Sequence, residues 1–137
     1  MPIQRSKSQP HKTLQEFYGE LTESDEHVSV EIGKTMLLWI ERLEAKLPDA
    51  TIWGLTSHNH LYLMPDDTHQ GEWAVKIIGF SGNYHVSYLM PRKDAPWGNA
   101  YITGEFFDFD EALAMTAKAI RCCGLWPPND LRISKPY

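Results

Sequence analysis

Along these 137 residues the spacing of apolar side chains changes twice, and those changes limit the fold more than any motif does. Up to Leu47 the apolar positions recur at intervals of three and four. Through residues 50–106 they alternate, and beyond Asp108 they return to the longer interval. A period near 3.6 gathers side chains on one stripe of a helix, whereas a period of two gathers them on one face of a strand. The chain therefore reads as α+β: two N-terminal helices, a five-stranded antiparallel β-meander, one C-terminal helix and an extended C-terminal tail.

In the first helical part, Thr13-Leu-Gln-Glu16 has the reciprocal capping pattern, and Leu14, Phe17, Tyr18 and Leu21 follow on one face. Ser24-Asp25 offers a cap for the second helix, whose stripe is Val28, Ile32, Met36, Ile40, Leu43 and Leu47 and whose end is Pro48. Gly33 weakens that helix by about 1 kcal/mol relative to alanine. Five strand-like runs follow at 51–57, 61–64, 73–80, 84–90 and 100–106, with connections short enough for antiparallel neighbours. Asp108-Phe-Asp-Glu111 opens the last helix, which carries Phe109, Leu113, Ala117 and Ile120 on one stripe and stops at Gly124. Pro127 and Pro128 prevent its continuation, and Leu125 and Trp126 are expected to pin the start of the tail to the core.

Hydrophobic residues make up 42% of the chain and five tryptophans run from Trp39 to Trp126, a composition that excludes disorder for all but the ends. Residues 1–12 carry Arg5, Lys7 and Lys12 without an acid and read as a flexible basic tail; residues 13–137 read as a single α+β domain. The longest apolar run, at 36–40, is far short of the roughly 20 residues that cross a bilayer. No apolar stretch follows the basic N-terminus, so a secretory signal is not expected and a cytoplasmic location is. The neighbours Cys122 and Cys123 cannot build a disulfide framework and are expected as small, half-buried core residues. The sequence has no glycine-rich phosphate loop, no Cys-x-x-Cys, no Gly-x-Ser-x-Gly and no His-Glu-x-x-His, so no cofactor is expected.

The string His58-Asn59-His60 invites a metal or nuclease reading, but a hairpin tip explains it better. A three-residue tip pairs Ser57 with Leu61 and Leu55 with Leu63, bringing Trp53, Leu55, Leu61 and Leu63 onto one apolar face. Asparagine also tolerates the left-handed backbone of a tight turn. Asp66, Asp67 and His69 lie beyond the next strand, roughly 13 to 16 Å away at about 3.3 Å per residue, too far to share an ion. No metal is therefore expected. The alternative is a small metal-dependent hydrolase on the rim that gathers His58, His60, His85 and Asp108.

A turn at Gly82-Asn83 sets Ile77 opposite Tyr88 and Val75 opposite Met90. Ile102 and Phe106 then point to the core. The reverse of the sheet is mixed: Ile52, Tyr62, Ile78, Leu89 and Tyr101 stand among Thr56, Lys76, His85, Ser87, Thr103 and Glu105. Interfaces often have this amphipathic character with aromatic anchors.

Charge adds a second element. The net charge of −5 argues against nucleic acid, whose binding rests on neutralising phosphates. Residues 13–33 carry Glu16, Glu20, Glu23, Asp25, Glu26 and Glu31 with no base, either as solvated helix surface or as a face that steers a basic protein. The reading is a soluble protein-binding module, such as an inhibitor, immunity or antitoxin-like protein acting by surface complementarity. Tyr62, Ile78, Leu89 and Tyr101 serve as anchors, with Trp97 of the 91–99 loop at the rim and Glu16, Glu20, Glu23, Asp25 and Glu26 steering association. A third class, a small-ligand-binding protein, requires an apolar cavity under Trp39, Trp53 and Trp73.

Overall fold

The computed structural model describes residues 3–67 and 73–131. Helices α1 (Leu14–Leu21) and α2 (His27–Lys46) precede strands β2 (Trp53–Ser57), β3 (His60–Met64), β4 (Val75–Phe80), β5 (Asn83–Leu89) and β6 (Tyr101–Phe106). Helix α3 (Phe109–Cys122) and a 3₁₀ turn at Pro128–Leu131 close the described chain. The α+β class and the antiparallel meander are as expected. Among the described residues, no helix is long and apolar enough to cross a membrane.

A further strand comes from the segment read as a tail. Strand β1 (Gln4–Arg5) runs parallel to β2, giving a six-stranded mixed sheet in the order β1-β2-β3-β4-β5-β6. Ile3 and Ser6 are buried on either side of it. Past its end, Gln9 replaces strand backbone with its side chain: Oε1 accepts the Thr56 N–H at 2.9 Å and Nε2 donates to the Thr56 carbonyl at 2.8 Å. A parallel pair contributed by a remote segment leaves no short-range pattern, so periodicity could not reveal it. At the other end Leu131 is buried and the Trp126 indole N–H donates to the Thr51 carbonyl at 2.8 Å, while residues 132–137 of the expected tail lie outside the described residues.

Helix α1 has the reciprocal cap, with Thr13 Oγ1 accepting the Glu16 N–H and Glu16 Oε1 accepting the Thr13 N–H. Helix α2 begins later than Ser24-Asp25 implied. Ser24 Oγ accepts the Glu26 N–H at 3.1 Å, which holds the preceding turn instead, and Val28 is left exposed. From Ile32 to Leu47 the stripe is buried. Gly33 has a packing reason: a Cβ there would stand 2.6 Å from the Tyr18 carbonyl oxygen, so only glycine lets α1 approach α2 so closely.

The first hairpin has a two-residue turn, not three. His58 and Asn59 both take left-handed backbone (φ 51° and 67°), and Ser57 pairs with His60, Leu55 with Tyr62 and Gly54 with Leu63. This is the primed turn that matches strand twist, and it moves the register by one. A one-residue slip exchanges faces. Leu55 and Trp53 therefore lie opposite to Leu61 and Leu63, while Ile52 and Thr56, expected on the mixed side, are buried towards the helices. The deciding volume is at Gly54, where a Cβ would stand 2.8 Å from Leu14 Cδ1. Leu14 of α1 fills the space that this glycine leaves.

The second hairpin turns at Ser81-Gly82 (φ 49° and 78°), one residue earlier than Gly82-Asn83, and pairs Val75 with Tyr88 and Ile77 with Val86. Partners shift by two, so each side chain keeps its face.

Trp39 joins the layers. It is fully buried, its indole N–H donates to Thr116 Oγ1 at 3.0 Å, and its ring meets Tyr84 and Phe109 edge-on at 5.8 and 6.1 Å. The Thr116 hydroxyl in turn donates to the Ala112 carbonyl at 2.7 Å, leaving no polar atom of the pair unpaired. Gly79 admits the ring, since a Cβ there would stand 3.2 Å from it.

Trp39→Ala is expected to lower unfolding free energy by about 3 to 5 kcal/mol in denaturant titration. A second expectation concerns acid. The Thr13 N–H holds the Glu16 carboxyl below the usual range, so this cap stabilises above the ordinary glutamate pKa and its contribution is lost as pH falls through the lowered value. Glu16→Gln should remove that component from the thermal midpoint measured against pH, and an unchanged acid limb would refute it.

Candidate functional site

All three helices pack on one side of the sheet. Leu14 of α1 lies on Gly54, Trp39 of α2 on Gly79, and α3 against β5. Among the described residues no helix covers the reverse face. There, cross-strand partners form a row from Leu55 through Tyr62, Lys76 and Ser87 to Thr103.

The centre of that row is a lysine held by aromatic rings. Lys76 Nζ lies 5.4 Å from the Trp73 ring, 5.7 Å from Tyr101 and 6.0 Å from Tyr62. Trp73 bridges the other two rings, at 5.9 Å from Tyr62 and 5.6 Å from Tyr101. The ammonium lies over each ring, whose face is the negative part of its quadrupole, within the distance at which such attraction operates. Lys7 repeats the arrangement over Trp53 at 5.8 Å. Beside the box an open groove of about 380 Å³ runs past Ile78 and Ser87 to His60 and His85. Ser87 and Thr103 share a hydroxyl hydrogen bond of 2.8 Å, and His85 Nε2 is 3.7 Å from Glu105 Oε2.

Four expected anchors share this face: Tyr62, Ile78 and Leu89 are half-buried, and Tyr101 is 55% exposed. Trp97 is 71% exposed and borders a separate open cleft of about 730 Å³ with Leu89, Met90 and Leu125. Two principal members of the site were missed. Alternation from Val75 and Ile77 assigns Trp73 to the core, but it precedes β4 and its ring lies on the reverse face. In the sequence Lys76 is one polar residue among several of the reverse face; only the pairing of Tyr62 with Lys76 makes it central.

The acidic residues do not join the anchors. Glu16 belongs to the α1 cap and Glu20 Oε1 pairs with Lys12 Nζ at 2.9 Å. Glu23, Asp25 and Glu26 are exposed between α1 and α2. Because α1 packs on the helical side, the sheet separates these five acids from Tyr62 and Tyr101. The composite surface read from sequence is thus two surfaces.

The rim does not converge either. His60 Nδ1 hydrogen-bonds the His58 carbonyl at 3.1 Å, His85 faces Glu105, and Asp108 Oδ2 accepts the Glu111 N–H at 2.9 Å as the α3 cap. Among the described residues no three histidine, cysteine or acidic side chains are placed to hold a metal ion. Asp67 accepts from the Ser6 hydroxyl at 2.7 Å and the Lys7 N–H at 2.8 Å, and His69 lies outside the described residues. Trp39 is in the core whereas Trp53 and Trp73 are on the reverse face, so the three cannot roof one cavity. The cysteines also differ from each other: Cys122 is exposed, while Cys123 is buried, with burial raising its thiol pKa.

No protein-family model, curated protein or solved structure matches the chain.

Lys76→Met keeps an unbranched side chain under the rings and removes the charge. It should lower stability by about 0.5 to 1 kcal/mol, the range for an exposed cation–π contact, and Trp73→Ala should make that substitution less costly in a double-mutant cycle, with the Tyr62 and Tyr101 contacts remaining. Strict additivity of the two would contradict the box.

Proposed function

We propose that this chain is a protein-binding module that docks its partner on the uncovered sheet face. The observation that carries this reading is the box of Tyr62, Trp73 and Tyr101 around Lys76. Rigid aromatic side chains supply contact area with little conformational entropy to lose, and they dominate interface hot spots. Lys76 is pre-positioned by the rings, so a carboxylate of the partner would meet a charge already in place. Half-buried Leu55, Ile78 and Leu89 extend the apolar area on either side.

The chemistry of the two sides differs. Lys76 and Lys7 on the sheet face suit a contact patch that is apolar and acidic, whereas Glu23, Asp25 and Glu26 on the helical side favour a protein that is basic elsewhere. In this reading the acids act at long range, on association rate, and the sheet face makes the contact. Occluding a partner's own site in this way is the role of an inhibitor, immunity or antitoxin-like protein.

A photo-crosslinking residue placed at Ile78 or Leu89 in the producing cells should capture one protein, and the same residue at Leu38 of α2 should not. With that protein in hand, Tyr101→Ala should weaken binding by about 2 kcal/mol, roughly thirtyfold in Kd. Capture from Leu38 alone, or a Kd indifferent to Tyr101, rejects the proposal.

A further inference from the structure

Strand β6 ends the sheet, and its outer edge has no neighbour among the described residues. The Met90 N–H donates to the Ala100 carbonyl, and the register with β5 continues unbroken to Phe106. Antiparallel bonding alternates, so the backbone groups of Ile102 and Gly104 face β5 and those of Tyr101, Thr103 and Glu105 face outward. Natural edges are usually blunted by proline, lysine or a bulge. Tyr-Ile-Thr-Gly-Glu-Phe has none of these.

The side chains are as open as the backbone. Ile102 is 43% exposed although it points to the helical side, and Phe107, just past the strand, is 72% exposed. Helix α3 reaches only part of the way over β6 and leaves an open groove of about 230 Å³, whose walls include Ile102, Phe106, Met115 and Lys118.

The geometry points to β6 pairing antiparallel with β6 of a second copy of this chain, about a dyad at Gly104, so that the two sheets become one. In that register Ile102 lies opposite Phe106 of the second copy, Tyr101 opposite its Phe107, and Thr103 opposite its Glu105. Every exposed apolar residue of the strand gains an apolar partner, and the two Glu105 carboxylates are kept apart. Gly104 stands at the axis without a side chain, with the Phe106 ring lying over it. A dyad one residue earlier, at Thr103, would set Tyr101 against Glu105 and leave Ile102 facing a glycine.

Charge on α3 fits the same dyad. Its acids, Asp110 and Glu111, are in the first turn, and its bases, Lys118 and Arg121, are towards the end. Two such helices related by the axis run antiparallel, each acidic end facing a basic one, with Met115 near the midpoint. Helices over β5 would stand about 14 Å apart across three strand spacings, a gap that long side chains reaching from both sides can span.

Sedimentation equilibrium of the full chain tests this. The expected result is a reversible dimer, weakened tenfold or more by Thr103→Pro, which deletes an outward N–H and no backbone bond to β5, and not by Thr103→Val, which loses the same Ser87 hydroxyl bond but keeps the N–H. Ile102→Lys, which places a charge at the seam, should weaken it likewise, with circular dichroism of both variants unchanged. In a Cys122→Ser background, Thr103→Cys mixed with Glu105→Cys should oxidise to a crosslinked heterodimer, since bonded partners lie about 5.5 Å apart between Cα atoms, within disulfide reach. Neither variant alone should crosslink. A monomer at every concentration, a dimer indifferent to both Thr103→Pro and Ile102→Lys, or self-crosslinking of Thr103→Cys overturns the inference.

Discussion

The structure depends on one indole being buried between three elements with its single polar hydrogen satisfied. Trp39 reaches from α2 over Gly79 of β4 and donates to Thr116 of α3. An unpaired indole N–H at that depth would cost on the order of 1 to 3 kcal/mol, so α3 cannot shift along the sheet without a penalty. The Tyr84 and Phe109 rings close round the same point, from β5 and from the first turn of α3. Both long helices are thereby tied to the same side of β4 and β5.

That one-sidedness produces the candidate site. Helices that share one face leave the other without cover, and its residues must solve the problem locally. Tyr62, Trp73 and Tyr101 do so by packing on one another and on the Lys76 stem, with the ammonium held over their rings. Two-residue turns at His58-Asn59 and Ser81-Gly82 place these side chains in register, and the first of them puts His60 in a strand lining the groove beside His85 instead of at a loop tip.

Local pattern made much of this legible. The Thr13-to-Glu16 cap, the stripe from Ile32 to Leu47, the end of α3 at Gly124 and the existence of five strands all follow from spacing between near neighbours. So does the side on which Ile78, Leu89 and Tyr101 lie, because parity within a strand survives a shift of its partner by two residues. The placement of Leu55 did not survive, since the first turn lost one residue rather than moving by one. Its apolar character suited either face, and nothing in the hairpin itself reveals the Leu14 side chain that occupies the space at Gly54.

What the sequence by itself determined is the type and order of the helices and of the meander strands, together with which residues of each strand share a face. These depend on periodicity and capping, forces that act over a few residues. Tertiary structure alone decided that Gln4 and Arg5 add a strand, that Trp73 folds onto the reverse face beside Lys76, and that the acids of α1 lie across the sheet from the aromatic anchors. Each of those outcomes depends on contacts between segments far apart in the chain, where volume and close approach choose among arrangements that local pattern leaves equal.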